Sequence, residues 1–278
     1  MSRCGVCFRH CELGEGVTGF CGARVCRDGK VVAENYGRVT SLALDPIEKK
    51  PMRRFYPGSR ILSVGSYGCN LRCPFCQNNE ISWGEEVELL KETSRTMTPD
   101  ELVELAVSAK THGNIGIAFT YNEPLVGYEF VRDTARLAHE RGLKNVIVSN
   151  GTAELSVLEE IRPYIDAMNI DLKSFDDGVY KGILGGNLDM TKAFIREASK
   201  TAHVELTCLI VPGVNDDPEQ MRETAEWIAS IDRNISLHVS RFRPCFHMTD
   251  RPPTPVDTVY ALADTARGSL EYVYTGNC

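Results

Sequence analysis

Short apolar runs rich in β-forming residues alternate with helical patterns along most of the chain. After Thr98, for example, Leu102, Leu105, Ala106 and Ala109 recur at the spacing of one helix face. The predicted strands are residues 61–65, 115–120, 145–149, 167–172, 204–211, 235–242 and 271–275. The helical patterns between most of them begin after Thr98 and near residues 126–141, 154–161, 190–200, 218–230 and 256–267. Apolar strands that alternate with helices are typical of a parallel sheet covered by helices.

The best-marked helix start is the one at Thr98. Thr98 can cap the helix, Pro99 suits its first turn, and Glu101 completes a capping box. The length of the chain fits six strand–helix units rather than eight. We therefore predict an α/β fold, an open partial (β/α)6 barrel of the TIM type, with its ligands at the carboxyl ends of the strands.

The first 57 residues follow a different pattern. Asp28-Gly29 lies between two short apolar runs and is a hairpin turn signal, and residues 38–44 predict another strand. Many of the cysteines also lie here. We predict two units: a small cysteine-rich, metal-binding lobe at residues 1–57 and the partial barrel at residues 58–278.

Composition and charge narrow the class of protein. The 278 residues are 42% hydrophobic and 25% charged, which excludes disorder, collagen and a coiled coil as the main structure. The net charge of −7 argues against a dominant nucleic-acid or anionic-membrane surface, so we expect no nucleic-acid partner. Residues 61–71 are uncharged but fall short of the roughly 18 residues of a membrane helix. Because no apolar signal segment follows Met1, we expect a cytoplasmic protein without membrane attachment.

Cysteine is unusually frequent, with 11 residues. In a reducing compartment, clustered cysteines more often bind metal or take part in catalysis than form disulfides. Cys69, Cys73 and Cys76 form a CxxxCxxC triplet directly after the first predicted barrel strand. Thiolates are soft ligands, and three of them can hold three irons of a 4Fe–4S cube and leave the fourth iron open. The alternative is a zinc site with a remote fourth ligand.

The triplet, with Phe75 before its last cysteine, resembles the signature of the radical S-adenosylmethionine (SAM) superfamily. Polar segments follow at the ends of the later predicted strands in that family's order: Thr120-Tyr121-Asn122-Glu123-Pro124, Ser149-Asn150-Gly151, Asp171-Leu172-Lys173 and Val211-Pro212-Gly213-Val214-Asn215-Asp216. Asn122-Glu123 stands where the family often has Gly-Gly-Glu, and it departs from the glycine pair.

Two branches of this superfamily are similar to the chain. The Asp-Leu-Lys and Val-Pro-Gly segments resemble the activating enzymes of glycyl radical enzymes, such as pyruvate formate-lyase. The resemblance is closer to the radical SAM proteins of the AmmeMemoRadiSam system. It rests on the cysteine lobe, on Asp45-Pro46-Ile47-Glu48-Lys49-Lys50-Pro51, on Ser240-Arg241-Phe242, and on Asp250-Arg251-Pro252-Pro253-Thr254-Pro255. It spans nearly the whole chain.

The resemblance implies a 4Fe–4S cluster on Cys69, Cys73 and Cys76 and reductive cleavage of SAM to methionine and a 5′-deoxyadenosyl radical. The radical then abstracts hydrogen from a substrate, with a protein or peptide as one candidate. It also implies an electron donor such as flavodoxin or ferredoxin. The implied cofactor contacts are Phe75, Asn78, Asn122, Glu123, Ser149, Asn150, Asp171, Lys173 and His238. No catalytic residue is assigned.

Simpler interpretations of these contacts stay open. Asp171 and Lys173 are two apart on a strand and point to the same side, so they can form a surface ion pair. His238 alternates with apolar neighbours and can be a hydrogen-bonded core histidine. The segments at Asn122 and Ser149 can be a turn and a helix cap.

Four more cysteines lie close together in the lobe: Cys4, Cys7, Cys11 and Cys21. Four thiolates suffice for a closed tetrahedral zinc site or a saturated iron–sulfur cluster. So small a lobe buries too little surface to be stable alone, so a metal would supply folding energy. Free thiols, or a site that uses His10 or Cys26, are the alternatives.

Two other functions compete with the general radical SAM hypothesis. The first is a true glycyl-radical-enzyme activating enzyme, which abstracts hydrogen from a glycine of a large partner protein. The second is not an enzyme but a zinc-ribbon protein that binds RNA or protein through the basic pair Arg53-Arg54.

Overall fold

The computed structural model describes residues 1–278. Its strands are β1 (Ser2–Arg3), β2 (Glu12–Leu13), β3 (Arg24–Arg27), β4 (Lys30–Ala33), β5 (Arg38–Val39), β6 (Ser41–Pro46), β7 (Arg60–Gly65), β8 (Arg95–Thr96), β9 (Asn114–Phe119), β10 (Lys144–Ser149), β11 (Ala167–Asp171), β12 (His203–Ile210), β13 (Ser236–Arg241) and β14 (Val273–Gly276). Its α-helices are α1 (Asn79–Ser82), α2 (Val87–Thr93), α3 (Pro99–Ser108), α4 (Tyr128–Glu140), α5 (Leu155–Ile161), α6 (Asp177–Val179), α7 (Leu188–Ala198), α8 (Pro218–Ala229) and α9 (Val256–Arg267). None of these helices has the length and apolar character that crossing a membrane requires.

The central sheet has eight strands in the order β6, β7, β9, β10, β11, β12, β13, β14. From β7 to β14 neighbouring strands run parallel, and helices connect them. The sheet does not close, because β6 and β14 are its two free edges. This confirms the predicted α/β fold with an open, partial barrel.

The predicted helix start at Thr98 is confirmed. The Glu101 amide donates to the Thr98 hydroxyl at 3.2 Å, and the Thr98 amide donates to the Glu101 carboxylate at 2.8 Å. The predicted hairpin in the lobe is also present, since β3 and β4 pair across Asp28-Gly29. Both turn residues have positive φ, 50° and 69°, which is the geometry expected of this kind of turn.

The predicted strand at residues 38–44 is divided between two sheets. Arg38–Val39 pairs with β8, whereas Ser41–Pro46 pairs antiparallel with β7 in the central sheet. Part of the first 57 residues therefore belongs structurally to the barrel. The division at residue 57 itself stays a prediction.

The chain that follows β6 covers the amino ends of the barrel strands. Asn169 donates to the Pro51 carbonyl at 2.9 Å, and Met52 is fully buried. The backbone amides of Arg53 and Arg54 donate to the Glu205 carboxylate at 3.0 and 2.8 Å. This end of the barrel is closed by protein, so the opposite, carboxyl end of the strands is the one available to ligands.

Candidate active site

The cysteine triplet lies on the loop that leaves the carboxyl end of β7. Its three cysteines are free thiols, and Cys73 is buried. The Cys69 sulfur accepts hydrogen bonds from the Leu71 amide at 3.4 Å and from the Asn150 side-chain amide at 3.7 Å. Donors aimed at a sulfur stabilise the thiolate form that binds metal.

Burial works against free thiolates at this loop. It raises the pKa of Cys73 to about 11, although the Lys173 cation opposes the rise. Burial also raises the pKa of Cys69 well above its ordinary value. A bound metal deprotonates its thiol ligands outright, so these thiols would ionise as they bind metal.

The chemistry of the donor set fits a 4Fe–4S cluster. In a 4Fe–4S cube each cysteine binds a different iron, so the sulfurs need not meet around one point. Three soft thiols on one loop, with donors and a cation beside them, are suitable ligands for such a cube.

Glu123 joins the ends of β9 and β10. One carboxylate oxygen accepts from the Ser149 hydroxyl at 2.8 Å and from the Leu125 amide at 3.0 Å, and the other accepts from the Asn150 amide at 2.8 Å. Burial raises the pKa of Glu123 to about 7 against these donors. The resemblance implies that Glu123 contacts the SAM ammonium; here both of its oxygens are bonded to protein.

Asn150 carries this network to the cysteine loop. Its side-chain amide donates to Asn70 at 2.9 Å as well as to the Cys69 sulfur, and its side-chain oxygen accepts from the Thr152 amide at 2.9 Å. Asn70 in turn donates to the Thr152 carbonyl at 2.9 Å. Asn70 is a site residue that sequence reasoning missed, and its place inside the CxxxCxxC triplet is the signal that could have identified it.

Asn122 and Asn78 form hydrogen bonds near the two ends of the cysteine loop. The Asn122 side chain accepts from the Ser66 amide at 3.0 Å and donates to the Gly68 carbonyl at 3.1 Å. Asn78 is exposed and donates to the Tyr121 carbonyl at 2.8 Å. Their contacts in the structure are thus with the chain itself, and their roles toward SAM stay predictions.

Asp171 and Lys173 lie on the same side of the chain at the end of β11, as alternation predicts. They form an ion pair of 2.7 Å. Burial lowers the pKa of Lys173, but its interactions with Asp171 and Cys73 outweigh burial and raise the pKa. The ammonium is therefore charged and lies near the cysteine loop.

Two aromatic residues flank the same region. Phe75 is buried and packs edge-to-face against Phe242, with ring centroids 6.4 Å apart. Phe242 follows β13, so this contact connects the cysteine loop to the far side of the sheet. The prediction that Phe75 contacts SAM is not tested by this contact.

His238 lies in the amino-terminal half of β13 and bonds to Glu205. Its Nε2 is 2.6 Å from the Glu205 carboxylate, which also accepts from His203 at 3.0 Å. A carboxylate only accepts, so His238 Nε2 carries the proton. This contact is that of a hydrogen-bonded core histidine beside the closed end of the barrel. A role for His238 toward SAM stays a prediction.

The segment after β13 covers the cysteine loop. The His247 amide donates to the Pro74 carbonyl at 2.9 Å, and the Cys245 sulfur lies 3.5 Å from the Cys76 carbonyl. Trp83 packs edge-to-face on Phe246, with ring centroids 4.8 Å apart. Trp83 was not anticipated, because no local pattern links it to residues so far along the chain.

Comparisons with known proteins agree with this geometry. The model of the Radical SAM superfamily matches residues 63–228, well over half of the chain. An uncharacterized protein of Methanocaldococcus jannaschii is 41% identical over 278 residues, which cover 99% of this chain and 81% of the relative. The pyruvate formate-lyase 1-activating enzyme of Escherichia coli strain K12 is 25% identical over 177 residues, 62% of this chain and 69% of that enzyme. The narrower resemblance to the AmmeMemoRadiSam system stays a prediction.

Solved structures share the fold. Streptococcus suis SuiB bound to S-adenosylmethionine aligns with a TM-score of 0.59 at 16% identity, over 76% of this chain and 48% of SuiB. A domain of the pyruvate-formate lyase-activating enzyme from Bacteroides vulgatus aligns with a TM-score of 0.51 at 20% identity, over 58% of this chain and 99% of that domain. Family membership excludes the alternative of a zinc-ribbon binding protein without enzymatic activity. The chain belongs to the radical SAM superfamily, whose members use a 4Fe–4S cluster and SAM, and it is a radical SAM enzyme.

Proposed function

We propose that the chain holds a 4Fe–4S cluster through Cys69, Cys73 and Cys76 and cleaves SAM reductively to methionine and a 5′-deoxyadenosyl radical. The observation that carries this proposal is the set of three free thiols on one loop, at the open end of the barrel, with hydrogen-bond donors and a cation beside them. When bound, the cluster supplies an open iron for SAM and the electron that cleaves it.

The residues around the triplet bind and orient the cysteine loop and do not themselves react. The Leu71 amide and the Asn150 side chain stabilise negative charge on the Cys69 sulfur. Glu123 accepts the Asn150 amide and the Ser149 hydroxyl, and so it fixes the end of β10 against the loop. In this arrangement Glu123 and Asn122 are positioning residues that keep the loop in place.

Asp171 and Lys173 offer the charges that SAM needs at this edge. The Lys173 ammonium suits the methionine carboxylate, and the Asp171 carboxylate suits the ammonium or the ribose hydroxyls. Their ion pair holds both groups in place at the end of β11. Bound SAM would replace part of the Asp171–Lys173 pairing with its own contacts. The charged atoms of both side chains would therefore have partners with and without SAM.

A protein or peptide is the substrate class that we propose. One relative is the Escherichia coli pyruvate formate-lyase 1-activating enzyme, whose name states that it acts on another enzyme. Streptococcus suis SuiB, which shares the fold at 16% identity and a TM-score of 0.59, has been crystallised with the precursor peptide SuiA. We further propose flavodoxin or ferredoxin as the electron donor.

Anaerobic incubation with SAM and dithionite, followed by mass spectrometry for 5′-deoxyadenosine, tests the chemistry. Cys73→Ala should abolish 5′-deoxyadenosine formation and lower the iron content by about four per chain. Cys208→Ala is the matched control, because Cys208 is similarly buried but lies within β12 and bonds to Asn215. Formation of 5′-deoxyadenosine by the Cys73 variant at the rate of the control would refute the assignment.

The second candidate is a glycyl-radical-enzyme activating enzyme, and the similarity to pyruvate formate-lyase activating enzymes favours it. Incubation with a candidate glycyl radical enzyme, SAM and reductant should then produce a glycyl radical signal in electron paramagnetic resonance (EPR). A chain that forms 5′-deoxyadenosine but no such signal is a radical SAM enzyme of another substrate class.

A further inference from the structure

We propose that His238 and Tyr274 recognise a backbone amide of a peptide substrate and hold the neighbouring α-carbon beside SAM for hydrogen abstraction. The inference rests on the proposed function, because it names the group of the substrate that the SAM-derived radical attacks. It gives His238 a role toward the substrate, in place of the contact with SAM that the resemblance implies.

A row of inward-facing residues leads from the proposed SAM site to β14. Asp171 is the cross-strand neighbour of Thr207 on β12. Thr207 is in turn the neighbour of His238 on β13, which is the neighbour of Tyr274 on β14. In a parallel sheet such neighbours point to the same face. The Thr207 hydroxyl donates to the Asn169 side chain at 2.9 Å, and Asn169 bonds to the segment that covers the amino ends of the strands, so this face is the inner one.

His238 lies two strands away from Asp171, which the proposed function gives to SAM. Neighbouring strands are about 4.8 Å apart, so roughly 10 Å separates the backbones of these two residues. Thr207 stands between them, and its side chain is small. A group that His238 holds on the inner face therefore lies next to the place proposed for SAM.

Glu205 determines which nitrogen of His238 is free. His238 Nε2 is 2.6 Å from the Glu205 carboxylate, which only accepts, so Nε2 carries a proton. Glu205 is itself held by the backbone amides of Arg53 and Arg54 at 3.0 and 2.8 Å. In the neutral imidazole Nδ1 is then an acceptor, and it has no hydrogen-bond partner within the chain. A ligand of His238 must bring an N–H or O–H group to this nitrogen.

Tyr274 supplies the complementary group. Its ring stacks on the imidazole of His238, with ring centroids 5.4 Å apart and 29° between the planes. Tyr274 is half-buried, and its hydroxyl has no hydrogen-bond partner within the chain. A phenol can donate as well as accept. The two side chains thus offer an acceptor and a donor next to each other, which match the N–H and the carbonyl of a peptide.

The charges around this pair are already matched. Glu205 accepts four hydrogen bonds, and Asp171 forms an ion pair with Lys173 at 2.7 Å. A carboxylate ligand would face the lone pair of His238 Nδ1, and an ammonium would find no unpaired carboxylate beside it. A neutral amide needs no counter-charge, so the site favours a peptide group over a charged one.

The chemical step is the transfer of one hydrogen atom. The C–H bond at the α-carbon breaks, a new C–H bond forms at C5′ of the 5′-deoxyadenosyl radical, and the unpaired electron is left on the α-carbon. No proton and no further electron is exchanged, so the step needs no additional oxidant. The amide nitrogen and the carbonyl on either side of the α-carbon delocalise the unpaired electron, which makes this carbon the preferred position.

Binding is tested without turnover by ¹⁵N NMR of the full chain labelled in its six histidines, with N-acetylglycine dimethylamide as the probe. His238→Gln identifies the His238 signals. We expect an unprotonated Nδ1 whose signal moves when the probe is added. N-acetylsarcosine dimethylamide lacks the N–H and should leave the signal in place. A signal that does not respond to the first amide, or that responds equally to both, would overturn the inference.

Hydrogen abstraction is tested with the same probe carrying deuterium on its α-carbon, in the presence of SAM and dithionite. The native chain should transfer deuterium to 5′-deoxyadenosine. His238→Gln keeps a donor toward Glu205 but lacks the free acceptor, and Tyr274→Phe keeps the ring but lacks the hydroxyl. Each should lower deuterium transfer about tenfold. His112→Gln and Tyr260→Phe are the matched controls, because both residues are exposed, and they should transfer deuterium at the native rate.

The outcomes separate this inference from the proposed function. A His238→Gln chain that transfers deuterium at the native rate, or that loses affinity for SAM together with the transfer, would overturn the inference. So would a native chain that forms 5′-deoxyadenosine without deuterium, and the proposed function would then stand. If no 5′-deoxyadenosine forms while the His238 signal still responds to the amide, the proposed function fails and the amide site stands.

Discussion

Glu205→Gln is the substitution whose effect the structure predicts most fully. The Glu205 carboxylate accepts four hydrogen bonds: from the Arg53 and Arg54 amides, and from the imidazoles of His203 and His238. Its side chain is fully buried. Glutamine replaces one oxygen with an amide group that donates, so one buried backbone N–H would face another donor.

Two arguments give the size of the destabilisation that Glu205→Gln should cause. Burial raises the pKa of Glu205, but its four partners outweigh burial and lower it from 4.5 to about 2. A difference of this size corresponds to about 3 kcal/mol of folding free energy at neutral pH. Independently, an unsatisfied buried donor costs about 1–3 kcal/mol. Both routes describe the same contacts, so we expect Glu205→Gln to lower the free energy of unfolding by about 2–3 kcal/mol.

The pH dependence has a definite sign. Because the pKa of Glu205 is lower in the folded chain, its stabilisation is complete above the ordinary value of 4.5 and is lost as the pH falls toward 2. The difference between the native chain and Glu205→Gln should therefore shrink as the pH falls below about 4.5.

Urea unfolding of the metal-free chains, followed by circular dichroism and tryptophan fluorescence, measures both effects. Glu219→Gln is the matched control, because Glu219 is exposed on α8 and pairs only with Arg222 at the surface; its effect should stay below about 1 kcal/mol. Equal stability of the two variants, or a difference from the native chain that does not shrink at low pH, would refute this account of Glu205.

Three further predictions follow from other contacts. Gly68→Ala should lower the unfolding midpoint in urea, because φ is +95° at this residue and the new Cβ would meet Ala23 as well as Cys21. An unchanged midpoint would contradict the close approach of the cysteine-rich lobe and the cysteine loop. Lys173→Met should raise the Kd for SAM about tenfold in calorimetry, a loss of about 1.4 kcal/mol, and unchanged affinity would remove Lys173 from the site. Thr98→Ala should cost about 1 kcal/mol in thermal unfolding through loss of the α3 cap, and no change would show that the cap contributes nothing.

The local pattern of the sequence determined the strands, the helix starts, the turns and the cysteine triplet. Apolar runs predicted the parallel strands, since a strand buried on both faces must be apolar throughout its length. Thr98 and Asp28-Gly29 predicted a helix start and a turn, because both depend on the geometry of a few adjacent residues. The CxxxCxxC spacing indicated a cluster loop for the same reason: its three thiols come from one short segment.

Tertiary structure alone decided which distant residues meet. Ser41–Pro46 pairs with β7 in the central sheet although it follows the lobe, and Glu205 bonds to amides 151 and 152 residues away. The Cys21 carbonyl accepts from Cys69, and Cys245 lies against Cys76. Local patterns report how exposed a residue is and how its backbone turns. They carry no record of its partner across the fold, because that partner is selected by the packing of the whole chain.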